Sequence, residues 1–512
     1  MAVETELRFS IAPDAAARIA RLPPVRAAAH GPAVTRAMHS VYFDTPDLDL
    51  SRERVSLRLR REGGHWLQTV KTEMASAGGV EQRQELETPV AGPALDHAAL
   101  VDSGASNVFV DAHKLAQLKP VFEAAFKRTA RPLDLGDGRR AELAVDIGYI
   151  QVGDARTPIS ELEIELESGR PGDLVDFALE LLDHAEFKLQ TRSKSSRGYA
   201  LARKRPVSAS RGEIPALAPE MPLGEAFHAI VSSCVEHLVD NAQGIEHSDD
   251  IEFLHQSRIA IRRLRLAFKL FADVLPLEGF QAALATVTWL ADDLGDARDW
   301  DVFNLETLPL LMERFPEDQG LKRLSAWAIE QRARANRQAR DDVASKRYTR
   351  LVLELTRALL HEPWRDASGT ASADAGPQLT EHAKAMLKRR HRRVVRRGES
   401  LATLDSNGLH QLRRDIKRLR YASTFFASLW SRKAVRAYLS MLSELQDLLG
   451  GVNDVVVVQR IVDRWRQTEV EAVDLETMGL LRAWSRLRAD DERARIAKVW
   501  SAFRKTERFW KT

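Results

Sequence analysis

Between Ser160 and Glu167 the chain reads Ser-Glu-Leu-Glu-Ile-Glu-Leu-Glu, with acid and aliphatic residues alternating without a break. Successive side chains of a β-strand point to opposite faces. A strand here therefore lines one face with Glu161, Glu163, Glu165 and Glu167 and the other with Leu162, Ile164 and Leu166. Four carboxylates in a row repel one another. Two arrangements tolerate them. One is a solvent-facing strand whose charges water screens. The other is a closed sheet with its polar face inward, where the acids hold a divalent cation through hard oxygen ligands.

The other alternating segments discriminate between the two. Val3 to Phe9 places Glu4, Glu6 and Arg8 on one face, and an apolar strand at His39 to Phe43 stops at the turn formers Asp44 to Asp47. Val55 to Arg60 and Trp66 to Lys71, across Gly63-Gly64, form a hairpin presenting Arg58, Arg60 and Lys71. Gln82 to Glu87, Phe126 to Arg131 and Glu142 to Ile147 continue the alternation, and Lys188 to Lys194 follow a short helix at 171–183. Acids concentrate in the first and the Glu161 strands, bases at Arg58, Arg60, Lys71 and Lys188 to Lys194. A solvent-facing sheet would mix the signs, whereas a tunnel for a metal-bound polyanion needs both kinds on one lumen.

In this order, Glu4-x-Glu6-x-Arg8, Tyr42-Phe43-Asp44-Thr45-Pro46, the Arg58/Arg60 pair, Glu161-x-Glu163-x-Glu165 and the Lys188 to Lys194 segment resemble the CYTH domain, the triphosphate tunnel metalloenzyme family, over about residues 1–203. The family's opening motif ends in lysine; Arg8 stands there in this chain. The resemblance implies an eight-stranded antiparallel tunnel that binds a triphosphate with Mg²⁺ or Mn²⁺ and hydrolyses it. It implies Arg58, Arg60, Lys71, Arg128, Lys188 and Lys194 as phosphate contacts. Glu4, Glu6, Asp146, Glu161, Glu163 and Glu165 would be the metal ligands, with Glu4, Glu6 and Arg8 as the catalytic motif. Neutralising the phosphate charge is what lets water attack.

At 512 residues the chain is too long for one core. Residues 204–220 lack periodicity and read as a linker, and from 221 to 512 the pattern turns helical. That half repeats itself. His255-Gln256-x-Arg258-x-x-x-Arg262-Arg263-Leu264-Arg265 matches His410-Gln411-x-Arg413-x-x-x-Lys417-Arg418-Leu419-Arg420, and one offset also pairs Gly295 with Gly450 and Asp299 with Asp454. Copies at about 221–367 and 378–510, joined by a flexible connector at 368–377, predict two helical bundles in which Gly295 and Gly450 end helices. The fold class is thus α+β: a β tunnel followed by duplicated four-helix bundles.

At about 100° per residue, His255, Arg258, Arg262, Arg265 and Lys269 share a narrow stripe, as do His410, Arg413, Lys417 and Arg420. Like charges so close are destabilising unless an anion visits. The preceding helix of the second copy adds Lys388, Arg389 and Arg392 among others. These stripes resemble the CHAD domain over about 221–510, which implies that they bind inorganic polyphosphate; their histidines suit phosphate contacts better than metal ligands.

Net charge is only +3, so affinity for polyanions must come from such clustering. One cysteine, Cys234, excludes an internal disulfide, and no signal peptide or membrane span is visible. The expectation is a cytoplasmic metal-dependent triphosphatase with a polyphosphate-binding helical half. The alternative is a polyphosphate-binding protein with a silent tunnel, associated with polyphosphate granules. A nucleotide cyclase and a nucleic-acid binder are weaker readings. Oligomeric state is not readable from the sequence.

Overall fold

Eight strands close on themselves: β1 (Ala2–Ser10), β2 (Val34–Asp44), β3 (Val55–Glu62), β4 (His65–Ala77), β5 (Val80–Val90), β6 (Lys119–Gly136), β7 (Arg139–Val152) and β8 (Ala155–Ser168). Their order is β5-β4-β3-β2-β6-β7-β8-β1, and a β5–β1 pairing completes an antiparallel barrel. The computed structural model describes residues 2–203, 208–362, 378–468 and 472–511.

Strand parity turns the barrel inside out relative to an ordinary core. Leu7, Phe9, Leu162 and Ile164 are fully buried on the outer face, beneath Leu174, Ala178 and Leu181 of helix α1 (Pro171–His184). The opposite parity sends the charged residues inward, and register sets them side by side. Arg8 lies opposite Glu163 and Glu6 opposite Glu165; Arg128 faces Asp146, which in turn faces Glu161. Helix α2 (Lys194–Arg203) follows the two-residue strand β9 (Lys188–Leu189) and brings Lys194 to the same interior.

The chain divides into two units: 1–209 with 343–362, and 210–342 with 363–512. In the second unit, helices α3 (Leu223–His247), α4 (Ile251–Phe271), α5 (Gln281–Val302) and α6 (Gln319–Val343) come first. Helix α7 (Lys346–His361) is followed by α8 (Leu379–Gly398), α9 (Ser406–Phe425), α10 (Arg432–Trp465) and α11 (Ala472–Lys505). The offset that takes His255 to His410 carries α3, α4, α5 and α6 onto α8, α9, α10 and α11.

Helix α7 breaks that pattern, with no equivalent in the second copy among the described residues. The sequence places it in the helical half, yet it packs on the barrel unit. Leu353 joins the core under α1, and His361 lies 3.0 Å from Asp176. Thr356 Oγ1 donates to the Gly78 carbonyl at 3.1 Å, in the β4–β5 turn. Gly78 has φ +55°, and a Cβ added there would sit 1.8 Å from Thr356 Oγ1. Gly78→Ala is therefore expected to destabilise the barrel unit by about 1–3 kcal/mol. Thr356→Ala should recover part of that loss in the double variant, which denaturant melts of the four proteins read out.

Two further expectations change. Gly295 and Gly450 do not end helices; they lie inside α5 and α10. A helix can continue through glycine at a cost of about 1 kcal/mol, and at Gly295, though not at Gly450, the missing side chain makes room for arginine. A Cβ on Gly295 would lie 2.7 Å from Arg258 Nη1, and one on Gly450 3.7 Å from Arg413 Nη2. In the linker, residues 204–207 lie outside the described residues, but the stretch after them is held on the helical unit. The Leu217 N–H donates to Ser428 Oγ at 2.8 Å, and that hydroxyl donates back to the Leu217 carbonyl at 2.9 Å. The connector at 368–377 also lies outside the described residues, as does the side chain of Asp454.

Candidate functional site

The barrel encloses a cavity of about 150 Å³. Of the residues singled out in the sequence, Glu4, Glu6, Arg8, Arg58, Arg60, Lys71, Arg128, Glu163, Glu165 and Lys194 line it. Asp146 and Glu161 lie directly behind, fully buried. Lys188 is not among the lining residues: it pairs with Ser10 at the end of β1, past the last lumenal position.

Nearly every charge in the lumen has a partner. Arg8 is clasped between Glu6 and Glu81, and burial, which would lower its pKa, is outweighed by those carboxylates. Lys71 Nζ lies 2.6 Å from Glu4 and 3.2 Å from Glu85; Arg58 lies 3.3 Å from Glu85. Arg128 grips both oxygens of Asp146 at 2.8 and 2.7 Å and also reaches Glu163. Lys194 Nζ sits among three carboxylates, 2.7 Å from Asp146, 2.7 Å from Glu161 and 2.6 Å from Glu163. Burial acts to raise the pKa of Glu163, but Lys194, Arg128 and Arg8 hold it well below the usual range.

Among the basic residues Arg60 is the exception. Its Nε donates to Ser40 Oγ at 3.2 Å, and no carboxylate lies within ion-pair distance among the described residues. Burial, with Arg58 and then Arg128 nearby, brings its pKa down to about 10. A buried cation without a counter-charge is one an incoming anion stabilises.

One acidic group among the described residues brings its oxygens close enough together for a hard cation. Asp146, Glu161 and Glu163 each offer an oxygen within 4.8 Å of the others. Both Glu161 oxygens lack an aligned donor, although Lys194 and Arg197 stand 2.7 and 2.8 Å away. The distances establish charge pairing, and the angles leave lone pairs without a directed bond. The oxygens of Glu4, Glu6 and Glu165 do not converge in this way; Glu4 pairs with Lys71 and Glu6 with Arg8. Burial, then the charges of Glu4 and Glu6, against the opposing pull of Lys71, raise the Glu165 carboxyl to about 8. All-oxygen donors fit Mg²⁺ or Mn²⁺.

The sequence reading passed over Arg83, Glu85 and Glu87, which line the cavity from β5, and Glu81, which binds Arg8 and Arg83. Their signal was the same alternation used elsewhere. Tyr42 also lines it, its phenol pulled below the usual value by Arg58 and Arg60 against the opposing effect of burial. Arg197 came without a signal: its role depends on where α2 docks.

In the helical unit the two stripes meet. Burial, then Arg413 on its own helix α9 and Arg262 and Arg258 from α4, bring Lys417 down to about 6. Arg258 is itself lowered to about 10 by burial and by Arg262, opposed by Asp299 and assisted by Arg298 of α5. His255 is depressed by burial and by Arg298. A second patch joins Lys269 and Arg265 of α4 to Arg414 and Arg418 of α9 and Arg390 of α8. Arg420 bonds Gln446 at 3.0 Å, and Arg389 pairs with Asp273 at 3.1 Å. Lys388 and Arg392 are exposed on α8, one position round from the line of Arg389, Arg393 and Arg397. Arg298, Arg390, Arg414 and Arg418 belong to this basic face and were not singled out as contacts in the sequence.

Residues 2–199 match the CYTH domain family model and residues 229–463 the CHAD domain family model. An inorganic triphosphatase of Haemophilus influenzae is 30% identical over 166 residues, which is 32% of this chain and 46% of that protein. The chain thus spans about half the length of that relative. An uncharacterized protein of Mycobacterium tuberculosis is 26% identical over 87% of this chain and 86% of its own length. The crystal structure of the CHAD domain from the plant Ricinus communis covers 59% of this chain and 98% of its own, at 30% identity and a TM-score of 0.52.

Proposed function

We propose, for a chain that carries a CYTH domain followed by a CHAD domain, that the barrel is a metal-dependent inorganic triphosphatase and that the helical unit binds inorganic polyphosphate. The observation that carries the first half is the internal pairing of the lumen. Lys71 is held by Glu4, Arg8 by Glu6, Arg128 by Asp146 and Glu163. Each pair is a carboxylate fit for a divalent cation joined to a base fit for phosphate. A metal–triphosphate entering the tunnel lets the pairs exchange partners, so charge burial stays balanced throughout. Arg58 and Arg60 add bidentate donors for phosphate oxygens.

When bound, Mg²⁺ or Mn²⁺ would neutralise phosphate charge and polarise a water. Glu4, Glu6 and Glu165, and the Asp146, Glu161, Glu163 group, are the residues that would hold it. Arg60, Arg58 and Lys71 orient the chain, while the closed lumen limits access of bulk water. The Haemophilus relative named as an inorganic triphosphatase supports this reading. Metal-stimulated phosphate release from tripolyphosphate by the purified chain, lost with a chelator, tests it. A second reading, a tunnel that binds without turnover, draws on Arg8, which two carboxylates already clasp; binding without phosphate release would favour it.

Polyphosphate binding by the helical unit rests on the convergence of the stripes around Lys417. Free, this lysine is largely neutral above pH 7. A bound polyanion raises its pKa, so the complex takes up a proton. Affinity should therefore rise as pH falls from about 8 toward 6, by up to tenfold per unit for this one proton, and level off below the free-state value. Arg413, Arg262, Arg258 and Arg420 face Lys417, and Arg298, Asp292 and Asp299 face Arg258. Titration calorimetry in buffers of different ionisation heat measures the uptake, and Lys417→Met should remove it.

A further inference from the structure

A second, larger cavity of about 890 Å³ adjoins the tunnel and shares Ser56, Lys71, Arg83 and Ser195 with it. Beyond those shared residues its wall carries Arg52, Arg54, Arg192 and Arg203, against the acids Asp47 and Glu73. This vestibule is built by a fixed loop. The Asp44 carboxylate accepts the backbone N–H groups of Thr45, Leu50 and Ser51 at 2.7, 2.9 and 3.0 Å, pinning the turn that carries Arg52 and Arg54. Arg54 itself has φ +58°, a left-handed conformation that costs about 1 kcal/mol or more for a residue with a side chain. Arg203 reaches across from α2 to Ser51 Oγ at 2.8 Å, tying the two walls together.

Its chemistry is selective. The one aromatic residue in the wall, Tyr199, is 5% exposed and packs edge-on against Phe122 at 5.1 Å, which leaves no free ring face to stack a nucleobase. Against Asp47 and Glu73, the wall offers guanidinium and hydroxyl groups, donors to phosphate oxygens.

We propose that the vestibule is a second phosphate subsite that holds the continuation of a linear inorganic polyphosphate chain whose end lies in the tunnel. The substrate class is then polyphosphate chain ends, in preference to nucleoside triphosphates. Water adds to the terminal phosphorus and the bridging P–O bond breaks. Orthophosphate leaves, the shortened chain keeps the bridging oxygen and its electron pair, and the proton of water passes to solvent. This inference rests on the triphosphatase reading of the tunnel.

The test uses the full chain and compares initial rates on tripolyphosphate, linear decaphosphate and ATP, in the wild type and in Arg54→Gln/Arg203→Gln. The expected wild-type KM for decaphosphate is about tenfold or more below that for tripolyphosphate, the size of a few charge-assisted contacts in a solvated site. The double variant should lose that advantage, with kcat and the tripolyphosphate KM within about twofold of wild type, as expected for residues that touch only the longer chain. Equal KM values for the two chains in the wild type, a variant that impairs both alike, or a preference for ATP would overturn the proposal. If no substrate releases phosphate with either metal, the triphosphatase reading fails by itself, and decaphosphate calorimetry decides the subsite. Weaker binding of decaphosphate in the variant, with tripolyphosphate binding unchanged, would support it; identical isotherms would overturn it.

Discussion

Replacing Lys194 with methionine is expected to destabilise the barrel unit by about 3–5 kcal/mol, the cost of taking the central cation from a buried cluster whose carboxylates Arg128 and Arg197 only partly balance. Lys194 is 8% exposed, and its ammonium lies within 2.7 Å of three carboxylates, two of them fully buried. Methionine fills similar volume and supplies no charge, so the loss measures electrostatics rather than a cavity. Hydrogen exchange in β7 and β8, which carry Asp146, Glu161 and Glu163, should speed up far more than in the helical unit. Adding Asp146→Asn and Glu161→Gln removes the excess negative charge and should return part of the protection. Unchanged exchange in Lys194→Met would mean that the cluster is not held by this lysine.

Reversing one charge in each stripe, Arg258→Glu with Arg413→Glu, is expected to weaken polyphosphate binding by about 10³-fold, because each change removes a charge-assisted contact and adds a repulsion beside Lys417. Binding of the wild type should fall steeply with added salt, and the double variant should show a shallower dependence. Gly295→Ala offers a neutral route to the same site, since its Cβ would lie 2.7 Å from Arg258 Nη1 and push the guanidinium aside. It should lower affinity by a smaller factor with the net charge unchanged. Full binding by the charge-reversed protein would place the polyanion elsewhere.

The barrel was legible because period-two alternation carries face assignment directly. Glu163, Glu4, Glu6 and Arg8 share one lumen, with Glu161 buried directly behind it, for the same reason that Leu162, Ile164, Leu7 and Phe9 share one core. Glu81, Arg83, Glu85 and Glu87 obeyed the same rule on β5 and were readable from it. Lys188 could not be placed so, because β9 is two residues long and its position depends on where β1 ends. Helix α7 shows the other limit. Its periodicity predicts a helix but not the surface it covers, and that depends on a glycine turn far away in the chain. Gly295 and Gly450 misled for a related reason. Glycine marks a helix end only when backbone conformation requires it; Gly295 marks instead the space that Arg258 occupies. The convergence of two basic stripes on Lys417 is a tertiary fact, although the repeat already showed that there were two.

The most direct measurement of the central claim is phosphate release from tripolyphosphate by the wild type and by Glu4→Gln/Glu6→Gln, each with and without Mg²⁺ or Mn²⁺. The glutamines keep shape and hydrogen-bonding capacity while removing the negative charge a hard cation needs. Metal-dependent release in the wild type that falls by about 10²–10³-fold or more in the variant, with polyphosphate binding intact, is the predicted result. Release that persists in the variant, or that needs no metal in the wild type, would contradict a metal-dependent tunnel.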